Sequence, residues 1–221
     1  MAEQIWTDMD RYFEDRLLEE DPVLSEVVAA SERAGLPAIQ LSASQAKQLE
    51  LLVRIAGATQ VLEVGTLGGY SAIHLARGVG AKGRVVTLEI DPAHAEVARR
   101  NIELAGVADR VEVIEGSALE ILDSMIMDGD GPFDFIFIDA DKESNVGYVE
   151  RAVALGRPGS VILVDNVVRD GGVADESSER PDIVGTRAMM DLLHDHPRLE
   201  ATAIQTVGVK GYDGFALLVL S

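Results

Sequence analysis

From residue 60 onward, short runs of β-branched and other apolar residues alternate with segments whose apolar residues recur every three or four positions. That pattern predicts parallel strands joined by crossover helices, an α/β arrangement. Five runs predict strands: QVLEVG (60–65), RVVTLEID (84–91), RVEVIEG (110–116), FDFIFIDAD (133–141) and GSVILVDN (159–166). Between the second and third, PAHAEVARRNIELAG predicts a helix: Pro92 suits the first turn, Ala95, Ala98, Ile102 and Ala105 share a face, and Gly106 suits the C-terminal cap. After the fifth run the order changes. A helix near Ile183 to His194 precedes LEATAIQTVGV and GFALLVL, two strand-like runs joined by the turn-forming stretch Lys210 to Gly214, which reads as a terminal hairpin.

Ahead of the first strand, Ala46, Leu49, Leu52, Val53 and Ala56 have helical spacing with Ser44 as the N-cap. Residues 1–35 read as one or two further amphipathic helices that cover the sheet or form a lid. No internal repeat and no Pro-, Gly- or Ser-rich linker divides the chain, so one domain is expected over 1–221, with N-terminal helices at 1–57 and a cofactor-binding core at 58–221. The stretch Arg169 to Asp182 exceeds the usual connection length and is either functional or mobile.

Composition narrows the partners. The 221 residues are 47% hydrophobic and 26% charged, which excludes intrinsic disorder for most of the chain. Lys plus Arg total 19 against 38 Asp plus Glu, a net charge of −19 that repels phosphate backbones and anionic lipid. Neither nucleic acid nor a membrane is expected as a partner. The acidic start lacks a signal-peptide pattern and no run approaches the ~18–20 apolar residues of a spanning helix, so a soluble cytoplasmic protein is expected. The absence of cysteine excludes disulfides, thiolate metal sites and cysteine nucleophiles.

Candidate chemistry starts at VLEVGTLGGYS, where Gly65, Gly68 and Gly69 follow a strand and precede a helix, so that the backbone can pass close to a ligand. Glu89 closes the neighbouring strand, where its carboxylate can accept both hydroxyls of a ribose. The spacing G-x-x-G-G differs from the dinucleotide fingerprint G-x-G-x-x-G. Glu63 would oppose a pyrophosphate but suit the ammonium of S-adenosylmethionine, while Ser71 at the following helix start suits its carboxylate. The plainer alternative makes Glu63 an exposed strand-end acid and Ser71 an ordinary helix-start residue.

The fourth and fifth strands end in IFIDADK and ILVDN, placing Asp139, Lys142, Asp165 and Asn166 at equivalent edges. If these strands are neighbours, about 4.8 Å apart, two carboxylates converge and require a shared proton or a cation. Oxygen-only donors match a hard ion such as magnesium or calcium. A nearby divalent cation would also lower the pKa of Lys142 and make it a proton acceptor. The alternative is that Asp165 and Asn166 cap the next element, that Asp139 caps a helix near Ser144, and that Lys142 is a solvated lysine. None of the four histidines is assigned to chemistry.

These residues resemble the class I S-adenosylmethionine O-methyltransferases of the cation-dependent group, the catechol and caffeoyl-CoA O-methyltransferase-like family. The resemblance runs from about residue 38 to the C-terminus and rests on VLEVGTLGGYSAIHLA, TLEID, EGSALE, IDADK and VDN in order. It implies a Rossmann-like seven-stranded sheet ordered 3-2-1-4-5-7-6 with strand 7 antiparallel and helices on both faces. It further implies metal binding by Asp139, Asp165 and Asn166, with magnesium, manganese or calcium as the ion. Lys142 would be the base, Glu63, Gly65, Thr66, Ser71, Glu89, Ser117, Ala118 and Asp139 would contact the cofactor with Ala43 at its edge, and the protein would be a homodimer. The expected reaction is methyl transfer from S-adenosylmethionine to a hydroxyl of a small catechol-like vicinal diol, yielding S-adenosylhomocysteine. A nicotinamide-dependent reductase and a non-catalytic S-adenosylmethionine-binding module are the alternatives. Within 169–182, Arg169 and Arg180 are the groups expected to accept a carboxylate on the acceptor.

Overall fold

In the computed structural model, which describes residues 2–221, the five expected runs form β1 (Gln60–Val64), β2 (Arg84–Glu89), β3 (Val111–Glu115), β4 (Phe133–Ile138) and β5 (Gly156–Asp165). The hairpin supplies β6 (Leu199–Gly208) and β7 (Gly211–Leu220). All seven join one sheet ordered β3-β2-β1-β4-β5-β7-β6, in which β7 runs antiparallel to both of its neighbours. The helices are α1 (Ala2–Leu17), α2 (Pro22–Arg33), α3 (Ala43–Ile55), α4 (Tyr70–Val79), α5 (Pro92–Leu104), α6 (Ala118–Asp128), α7 (Asn145–Leu155) and α8 (Pro181–Asp195). None is long and apolar enough to cross a membrane.

Strand alternation separates two cores. Leu62, Val64, Ile136, Ile138, Ile162 and Val164 face one side, where Leu122, Val149 and Met189 of α6, α7 and α8 cover them. Val61, Phe135, Phe137 and Leu163 face the other, against Val53, Ile73, Ala98 and Ile102 of α3, α4 and α5. Full burial of each such side chain stabilises the fold by roughly 1.5–3 kcal/mol, and cutting fully buried Ile136 to Ala would cost ~2–5 kcal/mol. Val27 of α2 joins the second core, whereas α1 contributes to neither. Instead Asp10 of α1 accepts a bond from Val209 N at the hairpin tip, 2.7 Å away.

Local details follow the residue chemistry, with two differences. Asp91 accepts from the α5 amides of Ala93 and His94, Pro92 occupies the first turn, and Gly106 ends the helix with φ +67°. The N-cap of α3 is Ser42 and not Ser44, because only Ser42 can exchange side-chain and backbone bonds with Gln45, completing a capping box. The hairpin turn is shorter than the expected 210–214. Gly208 pairs with Gly211, leaving Val209 and Lys210 as the turn and extending β7 through Tyr212, Asp213 and Gly214. The 169–182 stretch is tied down: Arg169 pairs with Asp182, and Arg187 donates to the carbonyls of Asp175 and Ser178.

Candidate active site

Parallel pairing places Val64 beside Leu88 and Ile138, and Ile138 beside Val164. The segments that follow these residues therefore meet along one carboxyl edge of the sheet. A cleft of ≈ 1300 Å³ opens there. Gly65, Thr66, Ser71, Glu89, Ser117 and Ala118 lie on its wall. So do Asp139, Lys142, Asp165 and Asn166. Two of the expected residues do not. Ala43 begins α3 off the wall, between Ser42 and Ser44, which line it. Glu63 has 0% exposure and sits behind the wall, closed in by Ser71 from α4 and Thr87 from β2. That burial corrects the reading of Glu63 as an exposed strand-end acid and leaves it directly behind Gly65 and Ser71 of the wall.

The glycine turn is shaped by close approach. At Gly65, φ is +103° and a Cβ would stand 2.2 Å from the Asp139 carbonyl oxygen, so no other residue lets β1 and β4 end side by side. The Gly68 carbonyl accepts from Asn101 Nδ2 at 2.8 Å, and Gly69 enters α4 with φ +81°. Leu67 takes φ +49°, which aims its amide at Glu89 Oε2, 2.7 Å away. Asp91 N donates to Glu89 Oε1 at 2.9 Å. Two amides thus fix a buried carboxylate on the wall, and its remaining lone pairs are free for ligand hydroxyls. His94 lies on the same wall with Nδ1 3.7 Å from Glu89.

Behind the turn, Thr87 Oγ1 donates to Glu63 Oε2 at 2.5 Å, and Thr66 and Thr87 hydroxyls are 2.6 Å apart. Glu63 Oε1 is buried with no partner. Burial pushes the Glu63 carboxyl up to about 8, against the opposing influence of nearby Ser71 and of the bond from Thr87.

The second constellation is assembled by the turn after β4. Asp141, and not Asp139, caps it, accepting from Ser144 N at 3.1 Å and from Tyr148 Oη at 2.5 Å. Asp139 is therefore left for the cleft, where Lys142 Nζ donates to its Oδ1 at 3.0 Å. Lys142 is 6% exposed and not a solvated lysine. Its backbone is covered by α8 at Gly185, where a Cβ would lie 2.3 Å from the Lys142 carbonyl oxygen. Asp165 is buried too, and burial together with the Asp139 charge pushes its carboxyl well above the usual range. Asn166 follows at φ +57°, a left-handed conformation that Asn tolerates better than most residues. Asp213 of β7 holds the exit, accepting from Val168 N and Arg169 N at 2.9 and 3.1 Å.

Among the described residues no cluster of three or more His, Cys, Asp or Glu forms a metal-binding array. A third protein donor beside Asp139 and Asp165 would have to be of another type, such as the amide oxygen of Asn166 on the same wall. A buried carboxylate forced toward neutrality by a second one, with neither His nor Cys beside it, fits a hard divalent cation better than zinc. Of the two loop arginines, Arg169 lies on the wall paired with Asp182 at 2.8 Å, while Arg180 binds the same carboxylate and is off the wall. Asp141, Gly185 and Asp213 were not foreseen. Asp141 stands within IDADK, but nothing in that string tells the capping acid from the free one.

Comparison with known proteins gives the family and the fold. Residues 14–218 match the O-methyltransferase family model. The chain is 54% identical over 213 residues to the catechol O-methyltransferase of Mycobacterium tuberculosis, covering 96% of this chain and 95% of that protein. It is 44% identical to the catechol O-methyltransferase of Niastella koreensis over the whole of both. The crystal structure of an O-methyltransferase from Bacillus cereus in complex with SAH superposes with a TM-score of 0.97 at 51% identity, covering 99% of each chain.

Proposed function

The chain belongs to the O-methyltransferase family, as an S-adenosylmethionine-dependent O-methyltransferase, and from that premise we propose a catechol-like vicinal diol as acceptor and a divalent cation at Asp139, Asp165 and Asn166. The observation that carries the proposal is the burial of Asp165 beside Asp139 in the cleft that also holds the glycine turn. Two relatives named catechol O-methyltransferase support the choice of acceptor.

S-adenosylmethionine supplies the methyl as an electrophile on sulfonium. A magnesium, manganese or calcium ion would supply Lewis acidity toward two adjacent acceptor oxygens. The rest falls to the chain. Gly65 lets the backbone close on the cofactor, Glu89 accepts from its ribose hydroxyls, and Thr66, Ser71, Ser117 and Ala118 complete the cofactor wall. Glu63 acts from behind, through Ser71 and through its charge. Lys142 donates to Asp139 and, as the neutral amine that a divalent cation at Asp139 would favour, would receive the proton that the acceptor hydroxyl loses; in-line transfer needs no covalent enzyme intermediate. Cytoplasmic location and a homodimer belong to the same proposal; Ile5 and Leu17 of α1 are exposed apolar residues suited to a partner face.

The test compares catechol with phenol, each with magnesium and with EDTA. Methylation of catechol only, lost in EDTA and restored by magnesium or manganese, is expected. Equal turnover of phenol, or full activity in chelator, would refute the proposal.

A further inference from the structure

Three Lys or Arg side chains reach the cleft wall among the described residues: Lys142, Arg169 and Lys210. The first is bound to Asp139 and the second to Asp182. Lys210 is in no ion pair; its Nζ donates only to the Ala38 carbonyl, at 3.1 Å. We propose that Lys210 selects acceptors that carry a carboxylate on a short side chain, so that the preferred substrates of this site are catechol carboxylic acids with an extended arm. This rests on the diol reading of the cleft given above.

The surroundings of the ammonium favour an anion over a neutral group. One carbonyl satisfies one of its three N–H donors. Ile39 and Val207 bring exposed apolar surface to the same wall, and burial pulls the Lys210 ammonium below its ordinary pKa. A charged donor with unmatched N–H groups beside apolar surface gains more from a carboxylate than a fully solvated lysine does. The wall is otherwise acidic, with Asp10, Asp170, Asp182 and Asp213 on it, in a chain of net charge −19. An anionic acceptor is therefore repelled wherever no cation compensates. Arg169 is neutralised by Asp182 and lies 3.9 Å from Asp213, so the compensation falls to Lys210.

Position sets the length of the arm. Asp165 pairs with Phe215, β7 extends four residues beyond that pair to Gly211, and Lys210 follows as the fifth, in the turn. At roughly 3.3 Å per residue this overhang is about 17 Å of backbone. The lysine side chain closes part of that distance. On that overhang the carboxylate is placed at the end of a short side chain and not directly on the ring, and 3,4-dihydroxybenzoate tests that span.

The experiment measures kcat/KM for catechol, 4-ethylcatechol, 3,4-dihydroxybenzoate and 3-(3,4-dihydroxyphenyl)propionate in wild type, Lys210→Met, Lys210→Arg and Lys210→Glu. The ratio of the propionate to 4-ethylcatechol is expected to fall about tenfold in Lys210→Met, as for a hydrogen-bonded charge at a half-solvated site. It is expected to survive in Lys210→Arg and to fall further in Lys210→Glu, mainly through KM. An unchanged ratio in Lys210→Met overturns the proposal, and an equal loss for the benzoate overturns the span on which it rests. Turnover of unsubstituted catechol reports separately on the diol reading: if catechol reacts and the acid gains nothing from Lys210, this inference alone fails. If catechol does not react although S-adenosylhomocysteine binds, the diol reading fails first.

Discussion

Replacing Glu63 with Gln should make the ligand-free protein more stable at high pH and leave it nearly unaffected at low pH. Glu63 is fully buried, one of its oxygens has no partner, and its carboxyl is pushed by burial from 4.5 to about 8. Between those values the folded chain keeps a proton that the unfolded chain has lost. The stability contributed by the protonated carboxyl is thus fully present below the unfolded value and is lost as pH rises through the folded one. The shift of 8 − 4.5 = 3.5 units corresponds to about 5 kcal/mol across the window. Gln keeps the shape and the partners of the neutral acid without the titration. The assay is urea or thermal unfolding of both proteins from pH 5 to 9, read as the difference between them, which cancels the many other acids. The variant should gain on wild type by several kcal/mol over that range, or roughly 10 °C or more in Tm for a chain of this size. A difference that stays flat within about 1 kcal/mol would refute the claim that Glu63 is neutral when folded.

The same group connects stability to the cofactor. An ammonium bound in front of Ser71 would favour ionised Glu63, so binding of S-adenosylhomocysteine near pH 7 should release a proton from wild type and none from Glu63→Gln. Calorimetry in buffers of different ionisation enthalpy reads that proton. Equal exchange in both proteins would place the ammonium elsewhere. Lys142→Ala should lower the rate of methyl transfer ~10²–10⁴-fold while S-adenosylhomocysteine affinity holds, as for a proton acceptor; equal losses in stopped-flow turnover and calorimetric affinity would make Lys142 structural. Glu89→Gln should weaken S-adenosylhomocysteine binding by ~1.5–3 kcal/mol, and an unchanged Kd would move the ribose from this acid. Gly65→Ala should destabilise the fold by roughly 1–3 kcal/mol, because its Cβ would meet the Asp139 carbonyl at 2.2 Å; a variant that melts at the wild-type temperature would contradict that close approach.

What the sequence displayed was whatever one segment carries alone. β1 to β5 appear as apolar runs because both faces of these strands are covered, and each functional string sits at the end of its own run. Strand-end position was enough to bring Gly65, Glu89, Asp139 and Asp165 to one cleft, since parallel strands end on the same side. It could not tell which strand-end acid is covered. Glu63 and Glu89 both read as acids near a strand end, yet Glu63 is closed in by Ser71 of α4 and Thr87 of β2, and no spacing within β1 records either neighbour. The same holds for Gly185, whose missing side chain matters only because α8 lies against Lys142, and for Asp213, which reaches the site from a strand 45 residues after the amide it accepts from. Lys210 is the sharpest case. In the sequence it is a turn lysine with no feature of its own, and its meaning arises by subtraction, after Arg169 is committed to Asp182 and Lys142 to Asp139. The proposed catalytic groups were legible because chemistry restricts their residue types at fixed places. The group proposed to select a substrate was not, because selection depends on which charges remain unpaired once the chain has folded.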